Sequence, residues 1–169
     1  AAKRPFIFMN AVGLHDDVQT MLHEGGHAFH EFERSRLPFY PQREVGHEFS
    51  EVASMAMELL TAPYLAARDG GFYSDADAAR ARIEHLERCV RLWPWVALCD
   101  AFQDWVYHDP ERATDTAGCD AQWVELIARF MPGVDWSGLE RELTADWRRI
   151  PHFFHSPFYF VEYGLAQLG

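Results

Sequence analysis

Residues 23–27 of the chain, His23-Glu24-Gly25-Gly26-His27, have the residue types and the spacing of a metal-dependent hydrolase. Two histidines four positions apart on a helix lie one turn above each other on the same face, so both imidazoles can bind one ion. Zinc fits this geometry. Glu24 is rotated by about 100° from His23. It can therefore act as the general base that takes a proton from zinc-activated water.

The two glycines between the histidines are unusual inside a helix. Together they lower helix stability by roughly 2 kcal/mol relative to alanine. Gly25 and Gly26 therefore indicate a requirement other than helix stability. We expect a neighbouring backbone or a substrate to approach the helix closely at these positions.

A catalytic zinc usually has three protein ligands, and the next predicted helix offers carboxylates for the third position. Glu51 stands among apolar residues, where an ionised carboxylate is unfavourable unless a cation or hydrogen-bond donors satisfy it. Glu58 follows two helical turns later on the same face. We predict that Glu51 is the third ligand and that Glu58 orients a ligand histidine through its other ring nitrogen. Glu48 is a rival ligand, and a solvent-exposed carboxylate is the alternative for Glu58.

Proline, glycine and capping residues predict the elements that position these side chains. A short strand is expected over 5–10, and the apolar periodicity predicts helices at about 17–34, 48–67, 75–108, 120–131, 137–149 and 158–168. Pro94 should kink the longest helix. The predicted fold is mainly α, a helical zincin-like catalytic core with one short edge strand or small sheet near the N-terminus.

The composition favours one globular domain over residues 1–169. Apolar residues make up 49% of the chain, enough to form one core. The net charge of −11 argues against nucleic acid and anionic membranes as partners. Three cysteines without a CxxC pair favour free thiols and a cytoplasmic location. The apolar run near the N-terminus is too short for a signal peptide, and both ends are abrupt, so we expect a fragment of a longer protein.

Three sequence blocks resemble the oligoendopeptidase F and thimet oligopeptidase family of zinc metallopeptidases. They are 5–10 leading into 23–30, then 50–54 with Glu58, and finally Pro157-Phe158-Tyr159-Phe160-Val161-Glu162-Tyr163-Gly164. The resemblance implies a zinc endopeptidase that binds one zinc ion and hydrolyses short peptides. It also implies that the strand at 5–10 holds the substrate backbone. Family members are much longer, so a missing N-terminal half, or self-association, is an implied partner.

The resemblance assigns the last block to stabilising the tetrahedral intermediate. Tyr159 and Tyr163 are four residues apart on the predicted last helix, so both hydroxyls can face one site. Aromatic core packing is the alternative for either tyrosine. His152 and His155 are both candidates for the family's intermediate-binding histidine, and the spacing leaves the choice open.

Two other functions are compatible with these residues. The chain could be a non-catalytic or split-half metal-binding fragment that needs a partner chain. It could also be a zinc carboxypeptidase, which requires a positive group for the terminal carboxylate of the substrate. Arg148 and Arg149 are the nearest basic pair, although positive charge is also favourable at a helix C-terminus. Five histidines have no converging partner in the sequence, namely His15, His30, His47, His85 and His108.

Overall fold

The computed structural model describes residues 4–169, and their regular structure is almost entirely helical. The α-helices in chain order are α1 (His15–Arg34), α2 (His47–Thr61), α3 (Asp75–His108), α4 (Thr116–Phe130), α5 (Glu140–Ala145), α6 (His152–His155) and α7 (Phe160–Leu168). Short 3₁₀ turns lie at Tyr40–Arg43, Ala62–Tyr64, Ala67–Asp69, Arg112–Thr114 and Asp146–Arg149. The prediction of a mainly α fold is confirmed.

The prediction of a strand over 5–10 is wrong. Residues 4–12 have no regular secondary structure. A strand satisfies its backbone groups through a neighbouring strand, and no described segment lies beside this one as a strand. The aromatic side chains here are open to solvent, with Phe6 and Phe8 each 86% exposed.

A carboxylate fixes the start of α1. Asp17 accepts hydrogen bonds from the backbone N–H groups of Val12 (2.9 Å), Gly13 (2.6 Å) and Leu14 (2.8 Å). These bonds, with that from Leu14 contributing most, lower the pKa of Asp17. Gly13 has a φ of +86°, which a residue without Cβ adopts without strain. The predicted turn at this position is confirmed, and α1 begins two residues before the predicted start.

Proline and capping residues explain where other helices differ from the prediction. α2 ends at Thr61, six residues before its predicted end, because Pro63 lacks the N–H that an α-helix requires. α4 begins at Thr116, four residues early, because the side chain of Asp115 accepts from the N–H groups of Ala117 and Gly118. α3 runs through Pro94 as one helix.

The described residues form two compact units. The first contains the described chain up to Cys89 together with Leu165–Gly169, and the second is Val90–Gly164. The first has a small buried cluster of Leu65, Ala66, Ala78 and Ala81. The second has a larger core around α3 and α4, consisting of Leu98, Cys99, Phe102, Cys119, Trp123, Leu126, Ile127, Ile150 and Phe160.

Two further sequence expectations concern cysteines and membrane spans. Cys89, Cys99 and Cys119 are free thiols, and the last two are buried. Within residues 4–169, the helices are too short or too polar to cross a lipid bilayer.

Candidate metal centre

Helices α1 and α2 pack against each other at Gly26. A Cβ atom added there would lie 2.5 Å from the carbonyl oxygen of Ala53 and 2.5 Å from Cα of Ser54. Both are backbone atoms, so a larger residue would push α2 away. A Cβ atom at Gly25 would meet nothing within 4 Å. The expected close approach of a neighbouring backbone thus occurs at Gly26 and not at Gly25.

This packing brings two histidines of α1 together with a carboxylate of α2. His23, His27 and Glu51 each offer one donor atom, and the three atoms lie within 4.8 Å of one another. Oε2 of Glu51 is 3.4 Å from Nε2 of His23 and 3.7 Å from Nε2 of His27. The two imidazole rings are 4.9 Å apart between centroids and nearly perpendicular, at 86°.

The donor set and its spacing fit zinc. Catalytic zinc sites use imidazole nitrogens and a carboxylate oxygen as three protein ligands and keep a fourth position open. In a tetrahedron with bonds of about 2.0–2.1 Å, two ligand atoms lie roughly 3.3–3.4 Å apart. The 3.4 and 3.7 Å separations within this group are close to that spacing. His23, His27 and Glu51 can therefore hold one zinc ion with little movement.

Glu51 is the most buried member of the group, with 4% of its surface exposed. An ionised carboxylate at this depth is unfavourable unless donors or a cation compensate for the lost water. Ser54 donates a hydrogen bond to Oε2 of Glu51 at 3.1 Å. The imidazoles of His23 and His27 face the same oxygen. The carboxylate is thus partly satisfied and remains directed toward the histidines.

Glu58 binds the far side of the first histidine. Oε1 of Glu58 lies 2.7 Å from Nδ1 of His23, the ring nitrogen that does not face Glu51. Burial by itself would lower the pKa of His23, but hydrogen bonds to Glu51 and Glu58 outweigh it and raise that pKa from 6.5 to about 9. A proton held on Nδ1 by Glu58 leaves Nε2 for a metal. Glu58 is therefore placed behind the histidine and is not a solvated carboxylate.

The other two glutamates differ in their surroundings. Glu24 follows His23 on α1, is half-buried, and forms no hydrogen bond or ion pair with another described residue. The carboxylate of Glu48 folds back toward its own helix start, where it would collide with a Cβ atom on Gly46. Among residues 4–169, the group that could hold a metal contains Glu51 and not Glu48.

Three residues near the centre were not predicted. Ser54 donates to Glu51, and Oγ of Ser50 lies 3.4 Å from Nδ1 of His27. Ser50 is adjacent to Glu51 in sequence and Ser54 lies one helical turn after it, so helical spacing could have identified both serines. His85 lies in α3, with Nδ1 3.5 Å from Oε2 of Glu58. Its distance in sequence from Glu58 gave no signal, because the contact depends on how α3 packs.

Comparison with known proteins identifies the family of the chain. The sequence profile described as "Peptidase family M3" matches residues 1–167. The chain belongs to peptidase family M3. This membership confirms the resemblance to the oligopeptidase family and supports a metallopeptidase function. No curated protein sequence matches significantly.

A solved structure supports the fold of this M3 chain. The structure of PZ peptidase A with inhibitor 2 is 30% identical in sequence and superposes with a TM-score of 0.86. The match covers 98% of this chain and 28% of that protein. The M3 chain described here therefore spans little more than a quarter of the length of PZ peptidase A.

The C-terminal block of the M3 chain lies in the second unit, where it groups three of the four predicted residues. The ring of His152 stacks on Tyr159, with centroids 5.5 Å apart and planes at 26°. Tyr159 contacts Tyr163 edge to face at 5.3 Å. The ring of His155 is 5.9 Å from that of His152, but the residue is exposed and its Nδ1 lies 2.9 Å from Oγ of Ser156.

The predicted start of the last helix is wrong. α7 begins at Phe160, so Tyr159 lies in the preceding turn and not on the helix. Phe158 has a φ of +58°, a left-handed conformation that cannot belong to an α-helix and is strained for a bulky residue, so α7 starts after it. The side-chain oxygen of buried Gln103 accepts a hydrogen bond from the N–H of Phe158 at 3.1 Å and holds this turn.

Proposed function

We propose that the M3 chain is the zinc-binding catalytic part of a metalloendopeptidase that hydrolyses short peptides. The observation that carries the proposal is the convergence of His23, His27 and Glu51 within 4.8 Å. Glu24 follows His23 on the same helix and makes no hydrogen bond or ion pair with another described residue. We expect one metal ion at this site. Zinc is the metal that best suits two imidazoles and one carboxylate as ligands.

The residues of the centre have separate roles in this proposal. His23, His27 and Glu51 would hold the metal, and Glu58 would keep Nε2 of His23 directed toward it. Bound there, zinc would act as a Lewis acid that makes water a better nucleophile and polarises the peptide carbonyl. Glu24 would take the proton from the attacking water and pass it to the leaving amine. No covalent bond between enzyme and peptide is needed.

The family resemblance implies that residues of the C-terminal block stabilise the negative charge that develops on the carbonyl oxygen. Hydroxyl groups of Tyr159 and Tyr163 are suitable donors for this purpose. His152 is favoured over His155 as the histidine of this group, because its ring stacks on Tyr159 while His155 is exposed and faces Ser156.

The peptide backbone would bind along residues 5–10. This segment forms no backbone hydrogen bonds with other described residues, so its N–H and C=O groups can pair with an extended peptide. Such pairing recognises the backbone and not particular side chains. It is therefore compatible with substrates of varied sequence.

The structure does not favour a carboxypeptidase. Arg148 forms an ion pair with both carboxylate oxygens of Asp120, at 2.6 and 2.7 Å, and Arg149 pairs with Asp146. Both guanidinium groups thus have carboxylate partners within the second unit. A terminal carboxylate of a substrate would have to compete with them.

Two parts of the proposal concern the protein beyond the metal centre. Because the chain spans 28% of PZ peptidase A, full activity would require the remaining part of such a protein or a partner chain that supplies it. A cytoplasmic location is supported by the three free cysteines.

Metal analysis combined with peptide cleavage tests the function. The purified chain should contain one equivalent of zinc, which a chelator should remove. In a longer, active form of the protein, the chelator should also abolish cleavage of a quenched fluorescent peptide. Glu24→Gln should keep the zinc and lose turnover, because the amide preserves shape but does not accept the proton. Glu48→Gln is the matched control and should retain both. Hydrolysis by Glu24→Gln within tenfold of the unmodified protein would show that Glu24 is not the base.

A further inference from the structure

Glu58 lies between two imidazoles. Its Oε1 binds Nδ1 of His23 at 2.7 Å, and its Oε2 faces Nδ1 of His85 at 3.5 Å. A carboxylate held by one oxygen can still turn about its terminal torsion, which has broad energy wells. A donor on the second oxygen restricts that rotation. His85 occupies the position from which such a donor would act.

His85 is poorly placed to serve any group except Glu58 and its helical neighbour. It is only 7% exposed, and Nδ1 has no hydrogen bond of ordinary geometry with another described residue. A buried N–H is unfavourable without an acceptor, and Oε2 of Glu58 is the acceptor that faces it. Burial also lowers the pKa of His85, which favours a neutral ring with one N–H group.

The contact with Cys89 favours one of the two neutral tautomers of His85. Its Sγ lies 3.7 Å from Nε2 of His85, one helical turn away on α3. Burial, helped by the charge of Glu58, raises the pKa of Cys89, so the thiol stays protonated and can donate to Nε2. Nε2 is then the acceptor, and the proton of His85 lies on Nδ1, facing Glu58.

These contacts form a chain of donors with a single direction. The thiol of Cys89 can donate to Nε2 of His85, and Nδ1 of His85 faces Oε2 of Glu58 at 3.5 Å. Oε1 of Glu58 accepts from Nδ1–H of His23. Nε2 of His23 therefore stays on the side of Glu51 and His27. The proton position that suits one contact in this series is also the one that suits the next contact.

We propose that His85 is a positioning residue of the metal centre, which fixes the carboxylate of Glu58 and thereby the orientation of His23. The expected effect of His85 on zinc binding rests on the proposed function. The contrasting explanation is that His85 is a core histidine that only fills space. That explanation predicts lower stability after substitution, with the orientation of His23 unchanged.

Two substitutions of His85 separate these explanations. His85→Leu removes both ring nitrogens, whereas His85→Gln retains an amide N–H that can reach Glu58. Zinc affinity, measured by competition with a chelator, should fall about tenfold or more in His85→Leu and recover most of that loss in His85→Gln. Leu65→Ala is the matched control, because Leu65 is buried in the same unit, in a cluster that contains none of the metal-centre residues. It should lower the melting temperature with zinc affinity unchanged.

A spectroscopic measurement keeps the test independent of zinc and of catalysis. In a chain labelled with ¹⁵N-histidine, the Nδ1–H proton of His23 should be protected from exchange by Glu58 and give a downfield signal, even without metal. His85→Leu should broaden or abolish that signal, and Leu65→Ala should leave it sharp. A wild-type chain that binds no zinc but shows this difference contradicts the proposed function alone.

The inference is overturned by any of three results. One is a His85→Leu chain that keeps zinc affinity within twofold of wild type while Glu58→Ala loses it. A second is a His23 signal that is equally sharp in wild type and His85→Leu. A His85→Gln variant no better than His85→Leu in both measurements would likewise assign His85 to space filling.

Discussion

Nδ1 of His23 lies 2.7 Å from Oε1 of Glu58, while Nε2 of the same ring lies 3.4 Å from Oε2 of Glu51. Carboxylates on one helix thus contact both nitrogens of a histidine on another. The ring is oriented by protein groups alone, and zinc would bind to a site that needs little rearrangement. Without metal, the same carboxylates stabilise the protonated imidazole.

Zinc binding should therefore depend on pH in a defined window. The pKa of His23 is raised from 6.5 to about 9, so its contribution to the stability of the metal-free chain is complete below pH 6.5 and is lost as the pH rises through about 9. Zinc has to displace this proton, so affinity should rise with pH across the window and level off above about 9. Chelator competition at several pH values measures the effect. Glu58→Gln should shift the plateau to lower pH, and an affinity that is constant across the window would contradict the assignment.

Glu51 and Glu48 provide a comparison between two glutamates one turn apart. Glu51→Ala should reduce zinc affinity by more than the about 10–100-fold typical of residues behind a ligand, because it removes a ligand itself. Glu48→Ala should keep one equivalent of zinc at the original affinity. Zinc content after gel filtration and chelator titration report both results. The reverse pattern would make Glu48 the third ligand.

The adjacent glycines of the motif should respond in opposite ways to alanine. Gly25→Ala should stabilise the chain by up to about 1 kcal/mol, since its Cβ meets nothing and alanine favours the helix. Gly26→Ala should destabilise it by about 1–3 kcal/mol through overpacking against Ala53 and Ser54. It should also weaken zinc binding, because α2 carries Glu51. Urea unfolding and zinc titration test these effects, and a Gly26→Ala chain with unchanged values would refute the close contact.

Tyr159→Phe and Tyr163→Phe distinguish transition-state stabilisation from core packing. In a longer, active form of the protein, at least one substitution should lower kcat about a hundredfold or more, which is the scale of losing one oxyanion donor. KM should change much less, because the hydroxyl acts chiefly in the transition state. Steady-state kinetics and thermal melting should be measured together. If both variants melt earlier but keep kcat within threefold, the tyrosines are packing residues.

The parts of the structure that the sequence predicted depend on local spacing. Helical periodicity is enough to place Glu58 on the same face as Glu51, and the Gly13 turn follows from backbone preferences. Two of the errors arise where residues distant in sequence determine the local conformation or contact. Phe158 is left-handed because Gln103 holds its N–H from α3, and no local pattern indicates this. The contact of His85 with Glu58 likewise depends on the packing of α3.

Pro63 and the segment at 5–10 illustrate two different limits of predicting secondary structure from the sequence. The end of α2 could have been predicted from Pro63 alone, since proline cannot continue the hydrogen-bond pattern of a helix. The segment at 5–10 has strand-forming residues, but a strand exists only when another strand pairs with it. Intrinsic preference could not reveal whether that partner was available.

The pairing of α1 with α2 also bears on how the protein is made. Glu51 follows His23 by only 28 residues, so the donor atoms of the metal centre come from consecutive helices. Short loops lose little entropy on closure, and folding can proceed from the N-terminal side during synthesis. The α1–α2 hairpin thus contains all three of the proposed metal ligands, and their convergence does not wait for the synthesis of the residues after Thr61. The later segment that carries His85 then packs against a hairpin whose donor atoms are already paired in sequence.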